Sequence, residues 1–320
     1  MGSHMRRSLA AVAFGAASVL ALAACGSSAA DDSASDSSGN SDHPQTLVLA
    51  SIPAEDSQSL QQQFKLVGEV IEKETGIPVE FQNATDYAAV IEGQRAGKVQ
   101  IAGYGPFSYV TAKDSGVATI PVAVPVDAAD EKPGYQSYAI TKAGSNIKSL
   151  ADFRGKTVCF VDPASTSGYL YPSAGLLEAS IDPVKDVTPV FAGGHDASVL
   201  AVASGQCEAG FAYDTMVDEV LVKKGQIKPG EIDVLWKSET IAASPVAISG
   251  DLSPELQAQL TDIFQNKLNR PALVAGGYCS DEASCALPED VEFGYVKVDD
   301  SSYDGVRKVC EVTRAEACQG

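Results

Sequence analysis

The chain has 320 residues, 45% of them hydrophobic, and a mean hydropathy of −0.01, so it can build one large or two ordinary domains. Its formal net charge is −19 and its pI about 4.4. Such a surface repels nucleic acid and anionic lipid, which excludes a basic polynucleotide-binding function.

In chain order, Met1-Gly2-Ser3-His4-Met5 reads as an expression-tag remnant, with Met5 as the natural start. Arg6 and Arg7 form a short basic region before an apolar run over 9–24, too short and too poorly flanked to span a membrane. The run ends in Leu22-Ala23-Ala24-Cys25-Gly26. Small residues before a cysteine fit signal cleavage, and the spacing resembles the bacterial lipobox, whose cysteine is diacylated and becomes residue one. Segment 1–25 is therefore expected to be tag plus signal, with Cys25 anchoring an exported protein at the outer face of the cell membrane or in the periplasm. The alternative is a plain secretory signal with an incidental cysteine. Residues 26–44, rich in Ser, Ala, Asp and Gly, cannot offset their ordering entropy and predict a flexible tether.

The body then alternates strands and helices. A near-continuous apolar run at 46–52 predicts a buried strand. Leu60, Phe64, Val67 and Ile71 share one helix face, closed by Gly76. Strands are predicted at 79–82, 99–104 and 118–124, with a helix over 86–95. The pattern restarts with strands at 135–141, 157–161, 187–191 and 209–213. Between them lie a short helical turn at 149–153, a helix after the polar loop 162–168, and helices over 196–204 and 215–224. The segment 234–236, a strand at 244–248 and a helix opened by Ser253-Pro254 follow. The last forty residues are weakly patterned and are expected to be stapled covering structure.

Such alternation implies α/β layers around parallel sheets, in two lobes. Lobe 1 is expected at 45–130 with 240–320 and lobe 2 at 131–239, with crossings near 125–133 and 238–244. Ligands in such folds sit at the carboxyl ends of strands, here the cleft between lobes. Setting Cys25 aside leaves Cys159, Cys207, Cys279, Cys285, Cys310 and Cys318. An even count in an exported chain suggests disulfides. Short spacings favour Cys279–Cys285 and Cys310–Cys318, which leaves Cys159 with Cys207. A zinc cluster is the weaker alternative, since no histidine lies near these cysteines.

Three places point to chemistry. Ser165-Thr166-Ser167-Gly168 follows a strand and opens a helix, where unsatisfied N–H groups and a partial positive charge meet three hydroxyls. That makes an anion cradle needing no Lys or Arg, or else an ordinary helix cap. His195, in Gly193-Gly194-His195-Asp196, is the only histidine outside tag and tether and again stands between strand and helix. Asp214 ends a further strand; it would accept from a protonated oxyanion or a ligand amine, or simply cap the next helix. Tyr87 at a helix start and Tyr135 at a crossing are further donors.

The stretches GYQSYAI (134–140), SLADFRGKTVCFVDPASTSGYLYP (149–172), GGHDASVLAVASGQCEAGF (193–211) and TDYAAVIEGQRAGKVQIAGYGPFSY (85–109) resemble the substrate-binding proteins of phosphonate, phosphite and phosphate importers. The resemblance covers nearly all of 46–250. It implies a type II periplasmic-binding-protein fold, two hinged lobes each with a central β-sheet flanked by helices. It also implies delivery of a small phosphorus oxyanion to an ABC permease by a monomer that is not an enzyme and uses no cofactor, metal or nucleic acid. By the same resemblance, Ser165, Thr166, Ser167 and His195 hold the phosphoryl oxygens, Tyr87 and Tyr135 close the site, and Asp214 falls where the family often has an acid. Gln100 and Tyr104 depart from the common pattern, as do Cys159, Cys207 and the cysteine-rich tail. Two other readings draw on the same residues. One is a different small ligand, either a thiamine-like molecule or a ferric ion held by tyrosines such as the alternating Tyr169 and Tyr171. A Ser/His/Asp hydrolase would use a serine with His195 and Asp214, although Thr166-Ser167-Gly168 lacks the G-x-S-x-G elbow.

Overall fold

The computed structural model describes residues 42–53, 60–288 and 291–318. The signal segment, Cys25 and the tether as far as residue 41 lie outside them. The first half of the described chain runs β1 (Leu47–Ser51), α1 (Leu60–Gln63), α2 (Lys65–Thr75), β2 (Val79–Asn83), α3 (Tyr87–Arg95), β3 (Ile101–Gly103), α4 (Pro106–Asp114) and β4 (Thr119–Val126). It continues with β5 (Ser137–Lys142), β6 (Thr157–Phe160), α5 (Tyr171–Glu178), β7 (Thr188–Phe191), α6 (His195–Ser204), β8 (Ala209–Tyr213), α7 (Leu221–Lys223) and β9 (Ile232–Lys237). It closes with β10 (Val246–Ser249), α8 (Pro254–Asp262), α9 (Arg270–Ala275), β11 (Gly294–Lys297) and α10 (Asp304–Thr313).

These strands form two sheets, in the orders β11-β4-β10-β3-β1-β2 and β7-β6-β8-β5-β9. Along β1 the side chains alternate between faces. Leu47 and Leu49 join a core with Val67 and Ile71 of α2 and Leu260 of α8, whereas Ala50 faces a core with Tyr109 of α4 and Val306 of α10. The second sheet divides in the same way, Ile140 packing with Val199 of α6 on one face and Phe160 with Leu176 of α5 on the other.

Both sheets are mixed rather than parallel. β10 runs antiparallel to β3 and β4, β11 to β4, and β5 to β8 and β9. Strand direction is set by which way the chain arrives after each crossing, and β5 and β10 are the strands that follow the crossings. The crossings at 127–136 and 238–245 are bonded to each other: Tyr135 N–H donates to Ile241 O at 3.1 Å and Ile241 N–H to Tyr135 O at 2.8 Å. Gly134 makes that approach possible, because a Cβ there would lie 2.7 Å from Thr240 Cγ2 and 3.0 Å from Ile241 O.

The helix at 106–114 was not expected from periodicity, although Pro106 at its first turn is a helix-start signal. The tail also contributes more than cover, supplying edge strand β11 and the amphipathic α10. Disulfides join Cys159–Cys207, Cys279–Cys285 and Cys310–Cys318, with Cα–Cα distances of 5.8, 5.2 and 5.6 Å.

Candidate functional site

Between the two sheets lies a cavity of about 760 Å³. The amino termini of four helical segments are at its wall, since Tyr87 opens α3, Gly105 caps α4, Ser165 caps the helical turn leading into α5, and His195 opens α6. Each terminus presents N–H groups without intrahelical partners and a partial positive charge. Among the described residues, no Lys or Arg lines the cavity. Oriented dipoles therefore supply the positive field.

The cradle is built by its own backbone. Val161 ends the apolar run of β6, and residues 166–170 wind as one wide π-type turn before α5. Ser165 Oγ accepts from Gly168 N–H at 3.1 Å, so what it can give is its own proton, which lies towards the Tyr87 phenol. A Cβ on Gly168 would come within 2.4 Å of Val161, so the turn closes only around glycine. Thr166 Oγ1 accepts from Phe107 N–H at 2.8 Å and thus caps α4 of the other lobe, its own proton turned to the Tyr135 phenol. The Ser167 carbonyl accepts from Ser137 Oγ at 2.6 Å, which fixes the turn to β5. Ser165, Thr166 and Ser167 are each no more than 2% exposed.

His195 is equally buried, and that burial lowers its pKa to about 3, so the ring is neutral at physiological pH. Nδ1 accepts from Tyr213 N–H at 3.3 Å, which places the ring proton on Nε2. Nε2 lies 3.4 Å from Tyr87 OH and 3.5 Å from Ser165 Oγ, so donors from both lobes converge there. The Tyr213 ring meets the imidazole edge to face, 4.7 Å between centroids. Burial raises the Tyr87 phenol well above its ordinary value. It pushes Tyr135 up to about 12, against the opposing effect of the Thr166 and Ser167 hydroxyls. Both phenols stay protonated and can only donate or accept as neutral groups.

The structure thus brings Ser165, Thr166, Ser167, His195, Tyr87 and Tyr135 to one cavity wall. Asp214 is not part of that wall. Its carboxylate accepts from Gln136 N–H at 2.9 Å and Thr215 N–H at 3.0 Å, and burial raises its pKa despite those bonds. The His195 atom a hydrolase would turn towards a carboxylate is bonded to Tyr213 N–H instead, so the relay of such an enzyme is not assembled. Tyr169 and Tyr171 also lie off the wall. The Tyr169 ring packs on Phe160 and Phe191, and Tyr171 belongs to a buried apolar cluster. Among the described residues no cluster of His, Cys, Asp and Glu could hold a metal. Of the atypical positions, Gln100 staples backbone, Oε1 accepting from Val48 N–H and Nε2 donating to Gly97 O. Tyr104 OH donates to Gln94 Oε1 at 3.0 Å. Gly105, Ser244 and Tyr213 are wall residues that pattern did not single out; the proline after Gly105 is the one local signal among them.

The chain matches the family model described as ABC transporter, phosphonate, periplasmic substrate-binding protein over residues 49–273. It is 45% identical over 285 residues to the phosphate-import protein PhnD of Mycolicibacterium smegmatis, covering 87% of this chain and 88% of that one. It is 32% identical over 224 residues to the phosphonates-binding periplasmic protein of Escherichia coli, covering 69% of this chain and 65% of that one. A crystal structure of a binding protein component of an ABC phosphonate transporter from Pseudomonas aeruginosa superposes with TM-score 0.72 at 26% identity, over 84% of this chain and 86% of that one. PhnD1 of Prochlorococcus marinus, solved with methylphosphonate, shares the fold at TM-score 0.71 and 20% identity, over 85% of this chain and all of that one. With a two-lobed α/β fold, a cleft faced by helix amino termini and a family match over most of its length, the chain belongs to the phosphonate-binding family of periplasmic substrate-binding proteins of ABC importers.

Proposed function

We propose that the cleft captures a small phosphorus oxyanion, inorganic phosphate, phosphite or a phosphonate, and releases it unchanged to a membrane permease. The observation that carries this is the buried group of Ser165, Thr166, Ser167 and His195 Nε2–H, neutral donors at helix amino termini with no Lys or Arg beside them among the described residues. Desolvating an anion is costly, and many converging fixed donors offset that cost. Tyr87 and Tyr135 complete the enclosure, and Asp214 supports the crossing strand. The relative named for phosphate import favours phosphate among the three. Sheet membership supports lobes at 45–130 with 240–320 and at 131–239.

Lipidation at Cys25 would tether this monomeric binder to the membrane. Cys25→Ser should move it from the membrane fraction to the soluble one. The binding test is isothermal titration of stripped protein with phosphate, phosphite and methylphosphonate. Saturable one-to-one heat with one of them is expected. No heat with all three removes the oxyanion reading.

A further inference from the structure

The last helix touches both lobes. α10 packs against α4 of the first lobe and against α5 and the cradle turn at Thr166–Leu170 of the second. Its attachment to the first lobe joins apolar packing, Val306 sharing a core with Tyr109 of α4, to directional polar bonds. Arg307 pairs with Asp114 and Asp300, both at 3.0 Å. Just before the helix, the fully buried Tyr303 donates to the Ala243 carbonyl on the second crossing at 3.1 Å. The chain after α10 is held to α4, Thr111 Oγ1 donating to Ala317 O at 3.3 Å, and is stapled back to the helix by Cys310–Cys318. Towards the second lobe the contact is apolar. Val306, 1% exposed, shares one buried cluster with Leu170, the last residue of the cradle turn, and Tyr171, the first of α5.

We propose that α10 is a positioning element for anion capture, a brace that holds the cradle turn of one lobe against α4 of the other and so sets the share of molecules whose lobes are closed. Its effect on affinity rests on the oxyanion site proposed above. Rotation about the crossings leaves the contacts of α10 with its own lobe intact but parts or slides its apolar seam with α5 and the cradle turn, because among the contacts of α10 only that seam joins groups that move relative to each other. The seam therefore stabilises the arrangement in which Thr166 accepts from Phe107 N–H. Apparent affinity scales with the fraction of molecules in the binding-competent state, so loosening the seam weakens every ligand by one common factor.

The test uses purified protein with Val306→Ala and, separately, with Cys310→Ser and Cys318→Ser together. Small-angle scattering without ligand and with saturating inorganic phosphate reads the lobes. Titration with inorganic phosphate and with methylphosphonate reads affinity. Both variants are expected to be wider than wild type without ligand and to return to wild-type dimensions with phosphate. Each should weaken the two ligands equally, by roughly three- to tenfold for Val306→Ala. Unchanged dimensions and affinities in folded variants overturn the brace. So does weakening that differs between the two ligands, which marks a distorted cradle instead. If Val306→Ala does not fold, the double serine variant carries the same measurements. If wild type binds neither anion the site reading fails, and scattering of the ligand-free proteins still decides the brace.

Discussion

At the scale of single residues, the site depends on which proton each group can offer. Ser165 accepts from the backbone and so has only its own proton to give. Ser165→Ala removes a bond to a charged group, worth about 1.5–3 kcal/mol, so affinity should fall by roughly 10- to 150-fold. Loss of its capping bond costs only about 1 kcal/mol of stability, so circular dichroism should still show a folded chain; unchanged affinity would remove Ser165 from the site. His195 makes an independent prediction. Its folded pKa is depressed from 6.5 to about 3. The unfolded chain therefore binds a proton the folded one refuses, and stability present above pH 6.5 is lost as pH falls towards 3. His195→Gln should flatten the dependence of stability on pH in that window, as measured by urea melts across it. If the neutral ring is the proposed donor, affinity should not fall as pH rises through 6.5, as it would at an imidazolium site; titration heats at several pH values check this.

At the scale of elements, one methyl group at the crossings tests how freely the lobes are joined. Gly134→Ala puts a Cβ against Thr240 and the Ile241 carbonyl, pressing apart the two strands that carry the lobes. Overpacking of this kind costs about 1–3 kcal/mol, and the thermal midpoint and the affinity should fall together; a variant melting like wild type would show that the crossings give way freely. Much of the architecture was legible in the chain. Apolar runs mark β1, β6 and β8 because strands covered on both faces have nothing polar to show. Gly76 and Gly205, at φ 72° and 83°, punctuate helices that sequence alone delimits. Direction was not legible, since β5 and β10 read the same whichever way they run. α4 was hidden for a related reason: Phe107, Ser108 and Tyr109 are all buried, so no amphipathic stripe marks it. The cradle was legible because hydroxyls and glycine cluster there in sequence. The partners that complete it were not. Phe107 N–H is a backbone atom 59 residues from Thr166, and the bond that sets the His195 tautomer comes from another strand.

For the whole molecule, charge and site pull in opposite directions. A protein of net charge −19 repels the anion it is proposed to bind, and the neutral cradle attracts only at short range. Salt from about 0.01 M to about 0.15 M shortens the screening length from about 30 Å to about 8 Å. Stopped-flow association should therefore become faster as salt rises, the reverse of a site lined with lysines; slower association would point to an unrecognised cationic patch near the mouth. The placement of the donors has a further consequence. Ser165, Thr166, Ser167 and His195 all belong to the second sheet's half of the clamp, and Tyr87 with the start of α4 belongs to the other. On the proposed site an anion would dock on one jaw before the other arrives, and that same jaw would be the last to let go. Delivery from that site would have a direction: the permease would have only to draw back the jaw bearing Tyr87 and α4, and the cargo would be left resting on an open shelf.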